Sequence, residues 1–390
     1  MSKMSLSKIA IFFIAFFRPA VFHPSLPSTI FLIPYMAVLL LKTRTLFRPL
    51  TLLGPSLFFL IFLSAWSLTI DIHTNAIFDM GLRSQFATVI RFILYIYIAY
   101  ALVFFVTKSL NDLIYYVLLT VYIQCFLAIA MILMPDLKVF FYKSLSGYTG
   151  SEKIFREYFL NVRAFGWSEE LFFTAPVMML SAFIIFSGSF RRSFIPRFIL
   201  VFISSIVNAR VSLVSLILLS GRVKSLRDLL MITAIILFFG ILGIYVVRYV
   251  EGIYVILKYL LSDFKNGGSY VVKYLIENHL IWPQDTLQYL FGKNVYYYGE
   301  SAQKTSDIGF VIISMYGGYI YLASWSFLLV YLIIKNCCSG RLKILLIFIT
   351  FLLSFKGLIF SGNAVIMLLL ILYFINIKYG KLYKFTHPVS

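Results

Sequence analysis

Arg156, Arg163, Arg210 and Lys356 are the cations of this chain best suited, by type and setting, to hold a phosphate group. Glu169, Glu170 and Asp307 are the acids best placed to accept a proton. Each lies in a polar stretch against an apolar run: "LNVRAFGWSEELFFTAP" at 160–176, "SIVNARVSLVS" at 205–215, "TSDIGFVIISMYGGYIY" at 305–321 and "SFKGLIFSG" at 354–362. Arginine suits phosphate because its planar fork stays charged and donates two hydrogen bonds at once. Arg210 is the most telling, because an arginine near the centre of a membrane helix costs about 2.5–3.5 kcal/mol. At the tip of a helical hairpin that cost falls, since the side chain can snorkel. Plainer readings stand beside these. Arg156 can be a solvated loop residue, Lys356 a snorkelling lysine, and Glu169, Glu170 and Asp307 can answer helix starts electrostatically or as caps.

Other chemistry lacks its residues. No Asp-x-Asp pair, no phosphate-binding glycine loop, no His-x-x-x-His and no Cys-x-x-Cys occurs, and the four histidines are scattered. A metal site and a cofactor are therefore not expected. The three cysteines give no disulfide framework: Cys125 lies in an apolar run, and Cys337 and Cys338 in a short basic loop. Tyr296, Tyr297 and Tyr298 could stack on sugar rings, though most aromatics here read as membrane packing and interfacial belt.

These groups must be positioned by membrane helices. The 390 residues are 61% hydrophobic and only 13% charged, with a mean hydropathy of +0.94. A soluble domain carries about 25% charged residues, so an all-α, polytopic integral membrane protein is expected, in one membrane domain over 1–390. Apolar runs predict about twelve spans, near 5–22, 26–41, 50–70, 87–106, 113–134, 169–188, 194–208, 210–221, 229–248, 306–334, 343–356 and 361–378. The first reads as a permanent helix, not a cleaved signal. With the N-terminus in the cytoplasm, the inner segments carry 18 of the 34 basic residues but only two of the 15 acids, Asp112 and Asp228. Both termini then lie inside, and two long outer loops remain, 135–168 and 249–305. The net charge of +19 follows this sidedness and does not point to nucleic acid.

Taken together the motifs resemble those of the bacterial O-antigen polymerases, the Wzy family, and more distantly the O-antigen ligases. Arg163, Gly166 and Glu170 match an Arg-x-x-Gly motif with an acid four positions on. Arg210 matches a Ser-or-Asn-x-Arg tip between two short helices, and Asp307, Gly309, Gly317 and Gly318 match a polar residue ahead of a helix with paired glycines. Lys356 matches a lysine near the start of the final hairpin, whereas Leu171 stands where many members have proline after the acid. The ligases often carry histidine at the position of Asp307.

The resemblance implies metal-independent glycosyl transfer at the periplasmic face of the inner membrane. Undecaprenyl-diphosphate-linked repeat units would be both donor and acceptor, and a separate protein would regulate chain length. It implies a diphosphate cradle of Arg163 and Arg210, with Arg156 and Lys356 as further cations. Glu170 or Asp307 would be the general base. Two other readings compete: an O-antigen ligase, and a lipid-linked oligosaccharide flippase. A flippase would place charge mid-helix and keep loops short on both sides.

Overall fold

A computed structural model describes residues 5–19, 28–74, 84–145, 166–168, 174–187, 194–221, 285–294, 308–355 and 359–380, with a few isolated positions besides. Among these residues the structure is all-helical, with no strand. The helices used below are α1 (Leu6–Phe17), α2 (Leu32–Lys42), α3 (Ser56–His73), α4 (Gln85–Ala101), α5 (Leu110–Leu133), α6 (Pro135–Leu145), α7 (Thr174–Phe186) and α8 (Phe194–Asn208). They continue with α9 (Thr286–Phe291), α10 (Gly309–Ile334), α11 (Gly340–Ser354) and α12 (Ala364–Tyr379). A 3₁₀ segment, Arg210–Leu216, follows α8 directly.

Four helical stretches are long and apolar enough to cross a membrane: Ser56–His73, Gln85–Val106, Leu110–Leu133 and Gly309–Ile334. Shorter apolar helices accompany them, including α1, α7, α8 and α12. The apolar run at 229–248 lies almost wholly outside the described residues. The two long polar segments contain helix of their own, α6 in the first and α9 in the second.

The chain forms two compact units, one of residues 1–34, 106–268 and 382–390, the other of 35–105 and 269–381. In the first unit α5 is the central strut. α1 lies against it through the stacked rings of Phe12 and Tyr116, 5.7 Å apart, and through a Lys8–Asp112 ion pair at 3.1 Å. α7 is buried along its whole length, so a helix apolar all round is surrounded by protein. Its Phe183 packs on Phe194 and Phe198, which begin a stacked ladder down α8 to Phe202.

In the second unit α3, α4, α10 and α12 pack together: Phe59 stacks on Phe327, Phe92 meets Trp325 edge-on, and Tyr100 meets Phe374. The end of this unit where Lys378 donates to Val103 O, Asn376 to Lys335 O and Tyr373 to Leu52 O is strongly basic. It gathers Lys42, Arg44, Arg48, Lys335, Arg341, Lys343 and Lys378, with no acid there among the described residues. The Lys378 bond at 2.7 Å falls in a π-helical turn, Leu102–Val106, where such widening leaves a carbonyl available.

α10 is broken at Gly318, whose φ of 74° and ψ of −175° suit only glycine. The break lets the chain after α9 dock by backbone alone, with Lys293 N–H donating to Met315 O at 2.7 Å and Asn294 N–H to Tyr316 O at 3.2 Å. A Cβ at Gly318 would overlap the Leu290 carbonyl. We therefore expect Gly318→Ala to cost on the order of 3 kcal/mol. The check is a lower thermal midpoint in detergent than for Gly340→Ala, where an added Cβ meets open space.

Candidate functional site

The first unit holds irregular backbone beside the middle of α5. Gln124 stands nine residues before the end of that helix, about 14 Å along its axis. Its side chain is 1% exposed, and its Oε1 accepts the Trp167 N–H at 3.2 Å. Gly166 lies directly over the same side chain with φ of +63°, and a Cβ there would overlap the Gln124 amide. Glycine is thus required twice, by the left-handed backbone and by the close approach. Trp167 is gripped on both sides, 6.0 Å from the Phe13 ring and 5.6 Å from Phe141, and packs on the cluster of Ala128, Met131 and Phe141. Ser168 is fully buried. The segment 166–168 therefore lies alongside a helix long and apolar enough to cross a membrane. Non-helical backbone at such depth persists only where protein buries it or a polar cavity receives it.

A second irregular segment meets the same stretch of α5. Ser204 on α8 donates to Cys125 O at 3.4 Å, which sets that residue level with the Gln124 turn. Val207 joins Trp167 on the Ala128–Met131 cluster. α8 then stops at Asn208, Ala209 is extended (φ −153°, ψ 125°), and the 3₁₀ segment begins at Arg210. The break falls about 6 Å above Ser204 and a similar distance short of the end of α5. Beyond it Ser215 reaches α7, donating to Val177 O at 3.2 Å and receiving a bond from Ser181 at 3.0 Å.

Around this break Ser204 and Ser215 are hydrogen-bonded while other buried polar oxygens are not, and Ser28 is a further buried serine whose hydroxyl has no partner. Ser64, Ser67, Ser324, Ser326 and Ser354 each donate to the carbonyl four residues earlier, the usual solution for a hydroxyl in an apolar helix. Ser205 and Ser212, both 0% exposed, have hydroxyls with no hydrogen-bond partner, as does Oδ1 of Asn208, 2% exposed. Outside the spans, burial pushes the Lys138 ammonium on α6 down to about 8.

The second unit has its own polar centre, at the end opposite its basic face. Asp71, fully buried near the end of α3, accepts the Tyr316 hydroxyl at 2.6 Å on Oδ1. Its Oδ2 accepts the Ser84 hydroxyl at 2.6 Å and the Phe86 N–H at 2.9 Å. The carboxylate thus seals the start of α4, whose N-cap is Ser84. Tyr316 stands two residues before the Gly318 break. A Cβ at Gly362 would crowd the Tyr95 ring and the Arg91 carbonyl, and Phe355 meets Phe310 edge-on at 4.9 Å.

Of the residues singled out from sequence, Arg156, Arg163, Glu169, Glu170, Tyr296, Tyr297, Tyr298, Asp307 and Lys356 lie outside the described residues. For Arg210 the backbone is described, at the break between two helical arms. Ile308, not Asp307, occupies the N-cap position of α10 and supplies no side-chain bond. Gln124, Asp71, Ser84 and Tyr316 were not legible as partners. Arg91, within α4, is a second lone arginine in an apolar run, "TVIRFILYIY". No family model, curated protein or solved structure matches the chain.

The Gln124–Gly166 contact makes a thermodynamic cycle. Gln124→Leu strands a buried N–H, at about 1–3 kcal/mol, and Gly166→Ala costs about 1–2 kcal/mol for the left-handed backbone alone. Because both break the same contact, the double variant should fall short of their sum by at least about 0.5 kcal/mol. Additive losses in thermal or denaturant midpoints would show that the two do not act together.

Proposed function

We propose that this protein is a glycosyltransferase of the bacterial inner membrane that polymerises a surface polysaccharide. It joins undecaprenyl-diphosphate-linked repeat units at the periplasmic face. The observation that carries this reading is the convergence of two motif segments, Gly166–Ser168 and Ser204–Arg210, on residues 124–128 of α5. Those segments carry Arg163 and Glu170 in flanking sequence and Arg210 at the break. The sidedness of the second unit supports the orientation, since clustered lysine and arginine mark the cytoplasmic side.

In the reaction, a hydroxyl of the acceptor saccharide attacks the anomeric carbon of the donor. A new glycosidic C–O bond forms, the C–O bond to phosphate breaks, and undecaprenyl diphosphate departs with the electron pair. Arg163 and Arg210 neutralise the charge that develops on the diphosphate, with Arg156 and Lys356 as further cations. Glu170 or Asp307 takes the hydroxyl proton. The leaving group is anchored at membrane depth, which accounts for polar backbone folded beside the middle of a span.

Arg163→Ala and Arg210→Ala, made separately and checked for normal insertion, should each lower chain elongation by roughly a hundredfold or more. Full elongation by both variants would refute the assignment.

A further inference from the structure

The three orphaned oxygens at the α8 break have a use. Ser205 and Asn208 sit three apart on α8, hence on one face, and Ser212 follows just past the break. Each is almost completely enclosed and leaves an oxygen unpaired; the two serine hydroxyls make no bond back to the carbonyl four residues earlier, and Asn208 Oδ1 receives no donor. An unmade bond inside protein costs about 1–3 kcal/mol per group. Three within eight residues, beside an arginine, point to a ligand.

The type of orphan selects its chemistry. Asn208 Oδ1 is an acceptor and needs a donor. A phosphate diester-like oxygen offers none at neutral pH, whereas a sugar hydroxyl both donates and accepts. Serine hydroxyls pair with sugar hydroxyls in either direction. Arg210 follows two residues past Asn208 in the chain, and it is the cation proposed above for the diphosphate to which that sugar is attached.

We infer that Ser205, Asn208 and Ser212 form a saccharide subsite that grips the hydroxyls of the sugar attached directly to the diphosphate, next to the phosphate-binding Arg210. The inference rests on the polymerase reading and adds to it a subsite for the first sugar. These residues position that sugar; none takes part in bond making.

The test compares two lipids on the purified full-length protein in nanodiscs: undecaprenyl diphosphate alone, and the undecaprenyl-diphosphate-linked repeat unit isolated from the host strain. Asn208→Leu should weaken binding of the saccharide-bearing lipid roughly tenfold, as should the double variant Ser205→Ala with Ser212→Ala. Binding of undecaprenyl diphosphate should stay within about twofold of the parent in both. The serine variant also guards against misfolding, because removing an unpaired buried hydroxyl should leave the thermal midpoint unchanged or raise it. Unchanged binding of both lipids, or an equal loss for both, overturns the sugar subsite and leaves the polymerase reading standing. Failure of the parent protein to bind either lipid overturns that reading, and the subsite with it.

Discussion

The bond from the Trp167 N–H to the Gln124 side chain is the constraint on which the first unit depends. A chain that leaves helical geometry beside a membrane span loses its own backbone partners, and hydrocarbon supplies none. An amide side chain near the middle of α5 offers an acceptor at that depth. Gly166 removes the Cβ that would block the approach, and the rings of Phe13 and Phe141 clamp Trp167 in place. With that turn fixed, the polar residues on either side of it have a defined place to start from. The α8 break meets the same strut through Ser204 and Val207.

The second unit solves a related problem differently. There the irregularity is a break inside α10, made by Gly318 and filled by backbone donors from residues 293 and 294. Asp71 holds the neighbourhood together, tying α3, the start of α4 and Tyr316 of α10 through one buried carboxylate. Removing any single donor would leave a buried acceptor oxygen unpaired in a dry place, which is why such centres fail as units. In each unit a buried polar side chain, Gln124 in the first and Asp71 in the second, holds a departure from helix.

Much of the helical framework was legible in composition. The apolar runs at 113–134 and 194–208 correspond to α5 and α8 within three residues, because apolar length is a local property. The break at Arg210 was legible too, from the polar "NAR" between two apolar arms, although Arg91 within α4 shows that a lone arginine does not by itself end a helix. Partners far apart in the chain were not. Gln124 and Trp167 are 43 residues apart, and Asp71 and Tyr316 are 245 apart; nothing in their local sequence links them. Asp71 read as the first residue of a loop because the apolar run ends at 70, whereas it is buried inside the end of α3. Ser205 and Ser212 fall inside the apolar runs 194–208 and 210–221, and only the missing i−4 bond sets them apart. The acids and cations with proposed chemical roles, Arg210's backbone aside, lie outside the described residues, so their roles rest on type, spacing and flanking structure.

Polymerisation is the claim that organises these features, and the surface-glycan profile after clean deletion of the gene, run as a lipopolysaccharide gel, addresses it most directly. We expect the long ladder to collapse to core carrying a single repeat unit, because export and ligation continue while elongation stops. An unchanged ladder, or loss of every repeat unit from the core, would contradict it.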